Sequence, residues 1–425
     1  MKRIMIVLAM VILSVSLLYA GGGRDTSGRT TITAMVSGTP APQNDFETVV
    51  LPRLVEERFP NVKLEVTKLP DDQYYTVLST RLSSGQAPDM FLVQPKNAGQ
   101  NGVYPLAEAG YLAPIDGLKS VSLGGAGVEA FRYNNHVYSL PRGVTILGTY
   151  YNKTMFDRYG LHIPNTWDEF LNICKVLKDN GIQPIVMGDR DNYVLQFGLY
   201  QLAASIIYPS KPTFDDDLYT GKSRFTDAGT WDRVLTMYKT LYDNGYINAG
   251  VSLGLGNAQS IQQFIDGRAA MIFDGSFNWP GINAQGGSNF ERGYFPMPGN
   301  SAGQPLYASM APGASWAIYS RSRNIEICKQ ILDWWFDGQS TAYRAMIDSG
   351  TIAAYGYGVN KVEPIFAPFM SYYSAGNAAY WCNQAWPAGV NDEMQAQFSA
   401  MVSSQNVTVS DITRAMQNKF SELTR

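Results

Sequence analysis

Hydrophobic and polar positions follow two rhythms along this chain, and the rhythms take turns. Thr31 to Val36 is a run of β-branched and apolar residues, which predicts a strand. Phe46, Val49, Val50 and Leu54 then recur at helical spacing, and the pattern ends before Pro60. Val62, Leu64 and Val66 alternate with polar residues, as a half-buried strand requires. A helix is expected from about Asp72 to Ser83, ahead of Met90-Phe91-Leu92-Val93, the continuous apolar run of a strand buried on both faces. Strand, helix, strand, helix, strand is the pattern of an α/β body with a parallel sheet.

The same alternation resumes further on. Val144 to Tyr151 reads as a strand, and Asn152 opens a short helix that ends at Tyr159-Gly160. Thr166 is an N-cap with Glu169 as its capping-box partner, and Trp167, Phe170, Leu171, Cys174 and Leu177 then line one helix face up to the stop at Asn180-Gly181. Ala269 to Phe273 predicts a strand that runs into Asp274-Gly275-Ser276. Gly and Pro cluster from Pro280 to Gly313, where loops are expected. Ser315 to Tyr319 is another strand. Ile325, Cys328, Ile331, Leu332 and Trp335 give an amphipathic helix, and a terminal helix covers Asp411 to Leu423. Helix-face positions assign Trp167, Trp334 and Trp335 to cores, and Trp231 too is expected to be structural. Asp215-Asp216-Asp217 reads as an exposed turn, His136 after Asn134-Asn135 as a hairpin residue, and His162 as a loop residue.

Length changes this picture from one body to two, because 425 residues exceed one ordinary core. The first twenty residues form a secretory signal peptide: basic Met1-Lys2-Arg3, an apolar run from Ile4 to Leu18 broken by Ser14 and Ser16, then small residues. Leu17-Leu18-Tyr19-Ala20 resembles a lipidation signal, but Gly21 stands where the lipidated Cys would be, so export without that anchor is expected. No later run reaches the roughly 18 apolar residues of a membrane span. With 33 basic against 36 acidic residues there is no excess charge to hold phosphate backbones, so nucleic acid is not an expected partner. Cys174, Cys328 and Cys382 form no CxxC pair, and His136 and His162 are the only histidines, so neither a metal site nor a cofactor is expected. The 26 Tyr and 8 Trp supply amphipathic rings suited to sugar faces as well as to cores.

Catalytic signatures are weak. Gly313-Ala314-Ser315-Trp316-Ala317 approaches a nucleophile elbow but lacks its last glycine. No phosphate-binding loop or HExxH occurs. A glycosidase needs only two placed carboxylates, and Asp274 is the one to test, although holding the Gly275-Ser276 turn is its simpler role.

Five segments in order resemble the family 1 extracellular solute-binding proteins of bacterial ABC importers, which include the maltose-binding type. They are Ser84 to Phe91 (SGQAPDMF), Tyr138 to Pro141 (YSLP), Tyr150 to Phe156 with Pro164 to Phe170, Phe264 to Ser276 (FIDGRAAMIFDGS), and Ser315 to Tyr319 ahead of a helix. The resemblance implies a two-lobed periplasmic-binding-protein-like α/β fold (type II) with the ligand in the cleft between lobes. It implies an N-terminal lobe of residues 25–140 plus 306–338 and a C-terminal lobe of 142–304 plus 339–425. The chain would cross between lobes near Pro141, Pro305 and Gly338. It further implies a periplasmic or otherwise extracytoplasmic monomer that delivers a carbohydrate to membrane permease subunits. Carried over position by position, the ligand contacts would be Thr39, Gln94, Lys96, Arg142, Tyr151, Gly275, Ser276, Phe277, Trp279, Trp316 and Trp386. The maltose-binding type has charged residues where Ser37-Gly38-Thr39 stand, which disfavours a malto-oligosaccharide. A non-sugar solute and a secreted glycan hydrolase remain as alternatives.

Overall fold

A computed structural model describes residues 28–38, 45–97, 101–284, 290–359, 361–387, 389–403 and 406–425. The expected signal peptide and Thr39 lie outside the described residues. Strand β1 (Thr30–Ser37) runs parallel to β2 (Val62–Leu69), with Ser37 opposite Leu69. The connection is a π-helical turn, Phe46–Val50, continued by helix Leu51–Arg58, whose Pro52 falls in the first turn where a missing N–H breaks no bond. Helix Asp71–Ser83 leads on to β3 (Met90–Val93), buried at every position and parallel to β1. A hairpin of β4 (Arg132–Tyr133) and β5 (His136–Val137) turns on Asn134 and Asn135 at φ 46° and 67°, the left-handed pair that a tight hairpin needs. His136 is therefore a hairpin residue, as its neighbours predict, with Nδ1 2.8 Å from the Asp116 carboxylate.

A second sheet is built on β6 (Val144–Asn152), joined by β7 (Gln183–Ile185), β8 (Ala269–Gly275), β9 (Arg292–Phe295) and β10 (Ala308–Pro312). Then β11 (Ser315–Ile318) returns to the first sheet, and β12 (Ala378–Ala379) edges the second. The first sheet has the order β11-β3-β1-β2; the second runs β12-β10-β6-β8-β7, with β9 also paired to β6. Alternate residues of β6 point to opposite faces. Leu147 and Tyr151 enter one core with Trp231, Tyr238 and Phe273, while Ile146 and Tyr150 enter another with Ile272, Tyr294 and Phe369. The first sheet has its own core, from Ile32 through Leu140 and again from Trp316 to Ala353.

The chain passes between the sheets at Arg142-Gly143, at Gly313-Ala314 and after Ile352. The Gly313 N–H donates to the Gly143 carbonyl (3.2 Å) and the Val144 N–H to the Ile352 carbonyl (2.9 Å), so the three passages lie side by side. A Cβ on Gly143 would stand 2.2 Å from the Ile352 oxygen, so only glycine fits there. Two passages differ from expectation. The Gly/Pro-rich stretch near Pro305 is loop, but the chain then adds β10 to the second sheet before crossing eight residues later, at Gly313. Past Gly338, helix Thr341–Asp348 stays with the first core through Ala342, Tyr343, Met346 and Ile347. The expected lobe boundaries at 306 and 338 thus split β10 from its sheet and this helix from its core.

Candidate functional site

Strand direction locates the place where the two bodies meet. Ser315, the first residue of β11, pairs with Val93, the last of β3, so the second passage lies at the carboxyl ends of β1 and β3. In the second sheet, Gly275 at the carboxyl end of β8 pairs with Leu147, near the passage end of β6. Pro312 at the carboxyl end of β10 pairs with Val144, and β12 runs parallel to β10. Both sheets therefore present carboxyl-end loops to the crossing, the usual location of ligands in open α/β sheets.

On the first body, those loops carry a network of charges. The Arg142 Nη1 donates to Glu47 Oε1 at 2.6 Å, Lys68 Nζ lies 3.3 Å from Glu47 Oε2, and Lys68 also donates to Asp45 Oδ2 at 2.7 Å. The Trp316 Nε1 points at the same Glu47 oxygen from 3.4 Å. Burial pushes the Asp45 carboxyl up, but hydrogen bonds from Lys68 and Thr48 outweigh it and hold it below the usual carboxylate range. Sequence analysis found Arg142 and missed Asp45, Glu47 and Lys68. The visible signal was a Glu at the start of an apolar helix face, which sequence alone cannot pair with a strand lysine twenty-one residues on.

Gln94 and Lys96 follow β3. Gln94 Nε2 donates to the Tyr75 hydroxyl at 3.3 Å, and Lys96 adopts φ 49°, a left-handed backbone fixed by bonds to Ala130 O and from Tyr104 N. Such strain in a bulky residue persists only where surroundings enforce it. The next N–H, of Asn97, donates across to the Gln384 carbonyl at 3.1 Å, joining the loop after β3 to the segment after β12.

On the second body, Gly275 and Ser276 are buried at the end of β8, and Ser276 Oγ accepts the Ile146 N–H at 3.1 Å. Phe277 is 48% exposed. Its ring meets Phe197 edge-on at 5.9 Å, and Phe197 meets Tyr193 at 5.8 Å, so three aromatic residues line up from the turn to the start of helix Leu195–Ile206. Tyr193 and Phe197 were missed because that helix is apolar on nearly every side and shows no periodicity. Phe277 and Trp279, two residues apart, would share a face only if this segment were extended. Instead Ser276–Asn278 is a 3-10 turn and Trp279 opens a helix. The Trp279 ring turns inward onto Tyr150, centroids 6.0 Å apart and nearly parallel.

Three other expected contacts are enclosed by neighbouring side chains. Tyr151 lies between Phe156 (4.5 Å) and Phe295 (5.4 Å) in the core of the second body. Trp316 has no exposed surface and meets Trp335 edge-on at 5.2 Å. Trp386 is likewise 0% exposed, enclosed by Trp231 and Phe225 at 5.0 Å each. Its Nε1 donates to Asp215 Oδ1 at 2.9 Å. Asp215 is not in an exposed turn; it is part-buried at the start of helix Phe214–Thr220, with Tyr208 and Trp386 as donors. Burial lifts its carboxyl to about 6 despite those bonds.

Asp274 is also 0% exposed, and its Oδ1 accepts from the Gly275 N–H (2.6 Å) and Asn278 Nδ2 (2.8 Å). It holds the turn that displays Phe277, and burial pushes its carboxyl up to about 7. A carboxyl with no exposed surface cannot reach a substrate in this state. Among the described residues no group of three or more His, Cys, Asp or Glu could hold a metal, and no helix is long and apolar enough to cross a membrane.

Comparison with known proteins bears on the family and the fold. Residues 37–339 match the family described as bacterial extracellular solute-binding protein. The multiple sugar-binding protein of Streptococcus mutans is 25% identical over 336 residues, 78% of this chain and 77% of that protein. A chitin oligosaccharide binding protein superimposes with a TM-score of 0.76 at 20% identity, covering 93% of this chain and 99% of the other. The solute-binding protein RafE in complex with raffinose superimposes at 0.73 and 20% identity, covering 93% and 100%. A Bacillus licheniformis sugar transporter protein in complex with stachyose gives 0.73 at 16% identity, covering 92% and 100%.

Proposed function

Because this chain belongs to the bacterial extracellular solute-binding protein family, we propose that it captures a sugar between its two lobes and passes it unchanged to the permease of an ABC importer. The relative and the three structures just described are named for sugars or oligosaccharides, which supports a carbohydrate of oligosaccharide or glycoside size. In this reading the chain is an exported monomer and a binder, not a catalyst. The first lobe is the β1–β3 body with β11 and the helices up to Ala353; the second is the β6–β10 body with the C-terminal helices.

The observation that carries the reading is Phe277. A large apolar ring half exposed at the carboxyl end of a central strand, beside the passage that bears Arg142, is a poor surface residue and a good platform for the C–H face of a sugar. Gly275, Ser276, Gln94, Lys96, Arg142 and Phe277 remain as proposed site residues, with Tyr193, Glu47 and Lys68 added. Tyr151, Trp316 and Trp386 leave the list, as does Trp279, which packs on Tyr150 and Phe366. Rings cover the apolar faces of the ligand while charged and amide groups bond its hydroxyls, and the glycine passages allow the lobes to close.

The test is thermal unfolding of the mature chain with raffinose, stachyose and a chitin oligosaccharide, each recovered afterwards. A ligand at about 100 times its dissociation constant adds roughly 2.7 kcal/mol of stability. Stabilisation with intact sugar is expected. Cleavage of the sugar would instead establish a hydrolase, and no response to a wider sugar panel would move the reading to another solute.

A further inference from the structure

The segment that follows β12, Tyr380 to Gln384, lies against three parts of the molecule at once. The Gln384 carbonyl accepts the Asn97 N–H from the loop after β3, and Gln384 Nε2 reaches the Pro312 carbonyl, at the second passage, at 3.5 Å. Tyr219 on helix Phe214–Thr220 anchors the same segment by donating to the Ala385 carbonyl at 2.7 Å. Gln384 is 2% exposed, yet its Oε1 has no hydrogen-bond partner among the described residues. The same holds for Asn383 Oδ1 and Trp381 Nε1, two further polar atoms within four residues. Buried polar atoms are almost always paired, and each unpaired one is costly. Three in one short stretch therefore need an account. The orientation of the Gln384 amide is fixed by its neighbour, since the Pro312 carbonyl can only accept and so must face the NH2 group.

We infer that Asn383 and Gln384 form a hydroxyl-recognising pair that makes lobe closure conditional on the ligand. The inference rests on the sugar reading above and names the groups that would read the sugar. With the lobes apart, the two amide oxygens are open to water. With the loop after β3 bonded to Gln384 through Asn97, as here, both oxygens are shut away without a partner among the described residues, and a ligand must bring the donors. A polyol offers donors in quantity, and Trp381 Nε1 is positioned in the same stretch to donate to a sugar oxygen. A solute without O–H or N–H donors satisfies neither oxygen. The selectivity follows from the penalty of leaving buried polar groups unmade, which is the most discriminating device a binding site has.

Two near-isosteric variants test this, Gln384→Met and Asn383→Leu, each of which removes the oxygen while keeping the bulk. In the ligand-free protein Asn383→Leu is expected to melt at or above the temperature of the parent chain, because an unpaired atom has been replaced by an apolar group. Each variant should also give a smaller radius of gyration in solution scattering, since closure no longer strands an oxygen. Affinity for the sugar that best stabilises the parent should fall about tenfold or more per variant. Unchanged affinity in both variants would overturn the inference. So would a lowered melting temperature or a failure to fold of Asn383→Leu, because either would mean that its oxygen already has a partner within the protein; Gln384→Met also gives up the Nε2 bond to Pro312 and is judged on affinity. The ligand-free measurements need no sugar, so a parent chain that binds none would defeat the proposed function while these still decide whether the oxygens are unpaired.

Discussion

At the scale of single residues, a segment can reach the crossing while its most conspicuous side chain turns away from it. Trp386 shows why. Its segment does reach the crossing, through Gln384 two residues earlier, but nothing in Ala385-Trp386-Pro387 reveals that the chain dives into the second core after Gln384. Trp386→Ala should therefore act on stability. Emptying a fully enclosed aromatic site costs about 3–5 kcal/mol, and it also strips Asp215 of a donor. Phe277→Ala should do the opposite: little change in melting of the ligand-free protein, and at least a tenfold loss of sugar affinity. Calorimetric unfolding and titration of both variants separate the two, and a Trp386→Ala protein that folds normally but binds weakly would return Trp386 to the site. Asp215 makes the same point for charge. Three consecutive aspartates signal solvent, and two donors brought from Tyr208 and Trp386 let the first of them turn partly inward instead.

Elements were more legible than residues because their signals are local. The helix Trp167–Asp179 begins where Thr166 and Glu169 said it would. The Thr166 hydroxyl accepts the Glu169 N–H at 3.3 Å, although the Glu169 carboxylate reaches one residue further back than a standard box, to the Asn165 N–H at 2.7 Å. Thr166→Ala is expected to cost about 1 kcal/mol, read from chemical denaturation, with Thr166→Ser near neutral. No loss in the alanine variant would show that Asn165 alone caps the helix. What stayed illegible were elements with no periodicity. Helix Leu195–Ile206 is buried almost all round, so it has no polar face to mark it. Strand β10, Ala-Ser-Met-Ala-Pro, is too small and mixed in residue type to stand out from the loop before it, and so the second passage was placed too early.

For the whole molecule, three raised carboxyls of the second lobe and the lowered Asp45 of the first respond to pH in opposite directions. Asp189, Asp215 and Asp274 all belong to the second lobe, and burial raises them to about 6, 6 and 7. A carboxyl whose folded pKa lies above its unfolded value, near 4, keeps a proton that the unfolded chain has lost. Stability then falls as pH rises from about 4 through 6 to 7, by on the order of a few kcal/mol for the three together. Asp45 in the first lobe is lowered, so its contribution is present above pH 4 and lost only in stronger acid. Unfolding followed at pH 5, 6.5 and 8 should show the second lobe weakening toward pH 8. Asp274→Asn, which keeps an oxygen for Gly275 and Asn278, should flatten part of that slope. A second lobe indifferent to pH over this range would mean that these carboxyls are not enclosed as described.

The interleaving of the lobes also sets an order of events in synthesis. Strand β11 belongs to the first sheet but is made only after the whole of β6 to β10, since Ser315 must find Val93. Until then β3 has an open edge, a row of unpaired N–H and C=O groups along an apolar strand. The first sheet can begin early and cannot be finished until the greater part of the chain has emerged. Long-range pairing of this kind is slow, because the intervening chain must be organised before the contact repays its closure. The passages that let the lobes move in the finished protein therefore also delay its completion, and they keep the first lobe adhesive to other chains for most of the time it takes to make the second.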